Sequence, residues 1–181
     1  GSPTLSHLLY QSATYTSGST YTATVYAKAA ERGYVCLWLP ATNGFSADHR
    51  VFIDLSNGDV TFTENTPTSY GAVSCGNGWY RIHITANANL TGVGRSAYIA
   101  TSKNGLSVNY TGDGTSGIYV WGAQLNVDAL QPYYSTTVKN LLGYSQEFDN
   151  AAWSKSNSTI TANVTAAPDG SVTADKLVEN T

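Results

Sequence analysis

The sequence predicts an all-β fold, a two-sheet antiparallel β-sandwich of the jelly-roll kind, and three observations carry that prediction. Apolar residues alternate with period two along most of the chain, where a helix would need a period of about 3.6. Charged residues make up 12% of the 181 residues, while Thr, Ser, Gly, Asn and Tyr abound and Met is absent, a mix that suits strands joined by polar turns. Asn-Gly and Gly-rich turn signals recur between the alternating runs.

Taken in order, Leu5 to Tyr10 reads as a first strand. In Tyr21 to Lys28, Ala23, Val25 and Ala27 fall on one face, with Thr22, Thr24, Tyr26 and Lys28 on the other. Tyr34 to Leu39 repeats this, with Val35, Leu37 and Leu39 inward and Tyr34, Cys36 and Trp38 opposite. Val51 to Leu55 runs into Ser56-Asn57-Gly58-Asp59 and returns through Val60 to Thr63, a hairpin by its Asn-Gly turn. Gly76-Asn77-Gly78 is a second turn, followed by Trp79 to Thr85, where Tyr80, Ile82 and Ile84 alternate with Trp79, Arg81 and His83. Further strands are expected at Ser96 to Thr101, at Gly117 to Val127 and in two or three short pieces after Asn140, making about nine or ten in all. Only Asp149 to Trp153 reads as a helical turn.

The length fits one domain. Its expected parts are a main body over 3–134, a linker over 135–139 and a segment over 140–181 that completes the same sandwich; Gly1-Ser2 reads as a cleavage remnant. A net charge of −3 without clustered Lys or Arg argues against nucleic acid as a partner. No apolar run approaches the roughly 20 residues that span a bilayer, and no charged-then-apolar leader opens the chain, so no membrane is expected. Cys36 and Cys75 lack CxxC spacing and nearby histidines, which argues against zinc and leaves either a disulfide or two free thiols.

Several strings resemble a repeat of phage structural and tail-associated proteins. Its opening resembles Asn140-Leu141-Leu142-Gly143-Tyr144-Ser145-Gln146-Glu147-Phe148-Asp149-Asn150-Ala151-Ala152-Trp153, continued by Ala167-Pro168-Asp169-Gly170 and Thr173-Ala174-Asp175-Lys176-Leu177. Its closing text resembles Gly76-Asn77-Gly78-Trp79-Tyr80-Arg81, Tyr110 to Gly117, and Ile118-Tyr119-Val120-Trp121-Gly122-Ala123-Gln124-Leu125. The Asn-Leu-Leu opening is also similar, more distantly, to jelly-roll carbohydrate-binding modules of the galactose-binding-like group. The opening text stands at the C-terminus here, so the chain resembles one repeat in circularly permuted register. The segment from Asn140 then supplies strands that the sheets begun near Pro3 would otherwise lack, either within its own chain or exchanged with a neighbouring protomer. The resemblance implies a virion-surface or extracellular location, with tandem-repeat neighbours or a homo-oligomer as partners. The resemblance to jelly-roll modules, which often hold a structural Ca²⁺, makes Glu147, Asp149, Asp169 and Asp175 the candidate ligands for such an ion; no other cofactor is expected.

If the strands from Tyr21 to Leu55 share a sheet with the Trp79 strand, one open face carries Tyr26, Lys28, Tyr34, Trp38, Phe52, Asp54, Trp79, Arg81 and His83. Such a face suits a poly- or oligosaccharide, because sugar C–H groups pack on aromatic rings while polar side chains fix the hydroxyls. Trp38 is the foremost candidate, since Leu37 and Leu39 already claim the interior; Trp79, Trp121 and Trp153 read more readily as packing. Glycoside hydrolysis needs two carboxylates about 5–10 Å apart across the bond, and Asp54 alone lies mid-strand on that face. No Gly-x-Ser-x-Gly elbow, HExxH helix or phosphate-binding loop is present. The expectation is therefore a non-catalytic carbohydrate-binding module, the alternative being a structural or adhesion domain of a phage fibre or spike with no sugar binding of its own.

Overall fold

The computed structural model describes residues 4–42, 44–135 and 139–181. Its strands, in chain order, are β1 (Leu5–Ser6), β2 (Leu8–Tyr10), β3 (Ser12–Tyr15), β4 (Thr20–Ala29), β5 (Tyr34–Leu39), β6 (His49–Asp54), β7 (Val60–Glu64) and β8 (Ser69–Gly76). There follow β9 (Trp79–Asn87), β10 (Gly92–Arg95), β11 (Tyr98–Ser102), β12 (Asn109–Tyr110), β13 (Gly117–Val127), β14 (Ser154–Ser156), β15 (Ser158–Thr165) and β16 (Ala174–Glu179). They form an antiparallel β-sandwich of two six-stranded sheets, ordered β14-β2-β11-β5-β6-β7 and β15-β16-β13-β4-β9-β8, with two small ribbons, β1-β12 and β3-β10.

The strands outnumber the sequence expectation for local reasons. The first run splits because Leu5–Ser6 pairs with Tyr110 and Asn109, whereas Leu8–Tyr10 joins the first sheet. β8 mixes Ser and Gly with the exposed Tyr70 and Val73 and carries no clean alternation, yet it pairs along β9 as the outer strand of the second sheet. Asp149 to Trp153 lies within consecutive tight turns, with the amides of Asn150 and Trp153 donating to the carbonyls of Glu147 and Asn150 at 3.1 Å each, and no helix is present among the described residues. No described helix is therefore long and apolar enough to cross a membrane.

The core between the sheets collects the residues whose alternation pointed inward: Ala23, Val25 and Ala27 from β4, Val35, Leu37 and Leu39 from β5, and Ile82 and Ile84 from β9. Side chains alternate across a pleated strand, so these rows bury together once the sheets stack. β13 contributes Ile118 and Val120, then Ala123 and Leu125, which have opposite parity. A register shift between Trp121 and Gln124 accounts for this, with Gly122 at φ +59° as the inserted residue. The bulge keeps both halves of a long strand facing the core.

The C-terminal segment contributes strands to both sheets. β14 pairs with β2 at the end of the first sheet, and β16 pairs with β13 in the second. Asn140, fully buried, ties the segment's start to β13: its Oδ1 accepts from the amides of Leu125 and Leu142, and its Nδ2 donates to the carbonyls of Ala123 and Tyr134. Leu142, Phe148 and Trp153 then enter the core, Phe148 and Trp153 with ring centroids 4.9 Å apart. Most of the linker expected at 135–139, residues 136–138, lies outside the described residues.

Candidate functional site: a groove on the outer face of the first sheet

The supposition that β4, β5, β6 and β9 share one sheet is corrected by the topology. β4 and β9 belong to the second sheet and β5 and β6 to the first, so the candidate residues divide between two outer faces. Alternation fixes which side of its own strand a residue takes, but not which sheet the strand joins.

Tyr26, Lys28, Trp79, Arg81 and His83 share the second sheet, where Tyr26 stands opposite Arg81 and Lys28 opposite Trp79. Much of this face is covered by loops. Trp79 and Trp121 are 2% and 4% exposed, and their indole N–H groups donate to the carbonyl of Ala166 and the hydroxyl of Thr173. Tyr26, Trp121 and Tyr133 meet with ring centroids 5.0–5.8 Å apart, and Arg81 donates to the carbonyl of Gln131. His83 bonds Ser69 Oγ at 3.0 Å; burial and then the charge of Arg81 push its pKa below the ordinary histidine value. Lys28 borders a cleft of about 490 Å³ beside Cys75, Asn77 and Pro168.

The remaining candidates, Tyr34, Trp38, Phe52 and Asp54, lie on the first sheet. Phe52 is buried in a small cluster with Leu8, Cys36, Tyr98, Ala100 and Val108. Asp54 accepts from the amide of Ser56 and serves the β6–β7 turn, and Tyr34 is its register partner. Trp38 occupies a cross-strand rung, opposite Tyr98 on β11 and Arg50 on β6, with Arg50 in turn opposite Glu64 on β7. The Arg50 guanidinium lies 3.9 Å from the centroid of the Trp38 ring and is neutralised by Asp48 and Glu64. One indole face is thus covered, and what remains borders a groove.

That groove is the site the geometry favours. One part, about 480 Å³, is lined by Tyr10, Trp38, Tyr98, Arg95, Asn109 and Asn157 among others. A second part, about 630 Å³, is lined by Ser12, Thr42, Gly94 and Ser154, and shares Tyr10 and Arg95 with the first. Neighbouring strands of one sheet place Tyr10, Tyr98 and Trp38 side by side, with Tyr10 and Tyr98 5.0 Å apart between centroids. Thr4 to Ser6 add one wall and Ser156 and Asn157 another, so the first described residues and the C-terminal segment both shape it.

Tyr10, Tyr98, Arg95, Asn109 and Asn157 were not among the sequence candidates. Alternation within Ser96 to Thr101 separates Tyr98 from Ile99, but only pairing with β5 sets Tyr98 beside Trp38.

Two of the four carboxylates named for calcium accept hydrogen bonds from the chain itself. Both oxygens of Asp175 accept backbone amides, from Phe148 and Asn163 at 2.9 Å each, and Asp169 is held by the amide and hydroxyl of Ser171. Burial raises the Asp175 pKa above the usual carboxylate value despite those amides, and neither Glu147 nor Asp149 completes a cluster with it: among the described residues no three His, Cys, Asp or Glu gather to hold a metal. The cysteines are both free, Cys36 buried and Cys75 exposed. In comparisons with known proteins, no family model and no curated protein matches the chain.

Proposed function

We propose that the chain is a non-catalytic carbohydrate-binding module whose ligand lies in the groove beside Trp38. One observation carries the reading: Tyr10, Trp38 and Tyr98, an aromatic group on three neighbouring strands, border an open groove whose other lining combines hydroxyl and amide groups, one guanidinium and the aliphatic side chains of Leu5, Leu8 and Val93. Aromatic surface packs the C–H faces of a sugar, while Asn109, Asn157 and the serines offer hydrogen bonds to its hydroxyls. These groups bind a saccharide without providing a pair of carboxylates to cleave it.

Affinity electrophoresis through gels of neutral and acidic polysaccharides, with a thermal melt on each variant, tests the reading. At least one polysaccharide is expected to retard the wild type, and Tyr10→Ala to lose that retardation while still melting cooperatively. Failure of every polysaccharide to retard the wild type overturns the reading in favour of a structural or adhesion role in a phage fibre or spike.

A further inference from the structure

We propose that the groove selects acidic glycans, with Arg95 receiving the carboxylate or sulfate of the ligand. The inference rests on the carbohydrate reading of the groove and adds its ligand class.

Arg95 is the one charged side chain lining either part of the groove among the described residues, and it stands where the two parts meet. Its circumstances differ from those of the other arginines. Arg32 is paired with Glu179 and Asp113, Arg50 with Asp48 and Glu64, and Arg81 donates to the carbonyl of Gln131. Arg95 has no carboxylate partner among the described residues; its guanidinium donates to the Tyr98 hydroxyl and lies 5.0 Å from the Tyr10 ring centroid and 5.9 Å from that of Tyr98.

Two aromatic rings therefore orient a cation whose charge is left uncompensated. A guanidinium has five N–H donors in a planar fork, and one hydrogen bond to Tyr98 leaves most of them for a ligand. Neutral sugar hydroxyls can use these donors singly. A carboxylate or sulfate ester accepts two at once and supplies the missing charge, and such charge-assisted bonds are roughly twice as strong as neutral ones. The chain's net charge of −3 gives no general attraction for anions, so the preference must come from this contact. Arg95 is exposed, so the contact should also weaken in salt.

The test is affinity electrophoresis of wild type, Arg95→Gln and Arg95→Lys. The gels contain polygalacturonate, a sulfated galactan, or a neutral galactan, glucan or xylan, each run at low and high NaCl, with melts on all proteins. The expected result is an acidic gel that binds the wild type about tenfold more tightly than any neutral one. That ratio should fall towards one in Arg95→Gln or at high salt and be partly kept in Arg95→Lys. Whichever acidic gel retards the protein identifies carboxylate or sulfate as the recognised group. Equal retardation by a neutral gel, or a ratio unchanged in a folded Arg95→Gln, overturns the proposal and leaves the carbohydrate reading standing. No retardation in any gel overturns both.

Discussion

Trp38 and Tyr98 are register partners across the β5–β11 ladder, and their rings meet edge to face, with centroids 4.6 Å apart and planes at 89°. Such a pair contributes about 0.5–1.5 kcal/mol beyond area burial. It also makes Trp38 part of a small outer cluster with Tyr10, Cys36 and Phe52, as well as a wall of the groove.

This dual role separates two substitutions at Trp38. Its indole nitrogen is buried with no hydrogen-bond partner among the described residues, a placement that costs about 1–3 kcal/mol. Trp38→Phe removes that donor while keeping a ring under Arg50 and beside Tyr98, so its thermal midpoint should equal or exceed the wild type's. Trp38→Ala removes the ring as well and should lose about 2–3 kcal/mol, since the side chain is only partly buried. Urea titrations of the three proteins check the order; a Trp38→Phe variant as unstable as Trp38→Ala would show that the indole has a partner.

The two hairpin glycines should respond unequally to alanine. Asn77 and Gly78 have φ +52° and +79°, the paired positive values of a tight turn between β8 and β9. A Cβ on Gly78 meets nothing nearer than the Lys28 side chain at 3.5 Å, so Gly78→Ala should cost only the backbone strain, about 1 kcal/mol. A Cβ on Gly58, at φ +83°, would lie 2.5 Å from the Tyr80 ring, and Tyr80 packs against the core. Gly58→Ala should therefore cost at least about 2 kcal/mol. Denaturation midpoints that rank the variants the other way would refute the turn geometry.

These turns and the rows of inward residues were legible because each depends on chain-local chemistry: Asn-Gly for positive φ, period two for a pleated strand. Sheet membership was not legible. Nothing within β4 or β5 states that one joins β13 and β9 while the other joins β6 and β11, so the nine-residue face inferred from alternation became two half-faces. Burial on the outer faces was equally hidden. Thr22 and Thr24 alternate outward yet are at most 1% exposed, because Asp128 and the loop after β13 fold over the second sheet. Trp38 was picked out from its apolar neighbours; Tyr10, Tyr98 and Arg95 reach it only through non-local pairing.

Glu179 should make stability depend on acid. Its carboxylate is fully buried and accepts from Arg32, the Tyr110 hydroxyl at 2.6 Å and the Asp113 amide at 2.9 Å. Burial alone pushes its pKa up, but the hydrogen bonds from Arg32, Tyr110 and Asp113 outweigh it and hold the group below the usual glutamate value. A folded pKa below the unfolded one contributes stability above roughly pH 4.3 that disappears as pH falls through the folded value. Glu179→Ala, which takes from Arg32 its buried partner and leaves it the more exposed Asp113, should cost about 3–5 kcal/mol at pH 7. Against Glu179→Gln, the wild type's advantage in urea should be large at pH 7 and shrink in acid; a gap that does not change with pH would mean the carboxylate is not charged in the fold.

The two thiols should report separately on the first sheet's outer face and on the second sheet's edge. Cys36, one of two cysteines, is fully buried among Leu8, Phe52 and Ala100, and burial raises its thiol pKa far above the ordinary value. Because the thiolate is the reactive form, a thiol that is both covered and held neutral should resist an aromatic disulfide reagent. Cys75 is exposed on β8, the outermost strand of the second sheet, with the Val73 carbonyl as a weak partner at 3.5 Å. Native protein should therefore release one equivalent of chromophore promptly, and the second only in concentrated guanidinium. Cys75→Ser should abolish the native reaction, whereas Cys36→Ser should leave it intact. Prompt reaction of two thiols in the native protein would mean that the small cluster under Trp38 is open to solvent, and with it the floor on which the groove is built.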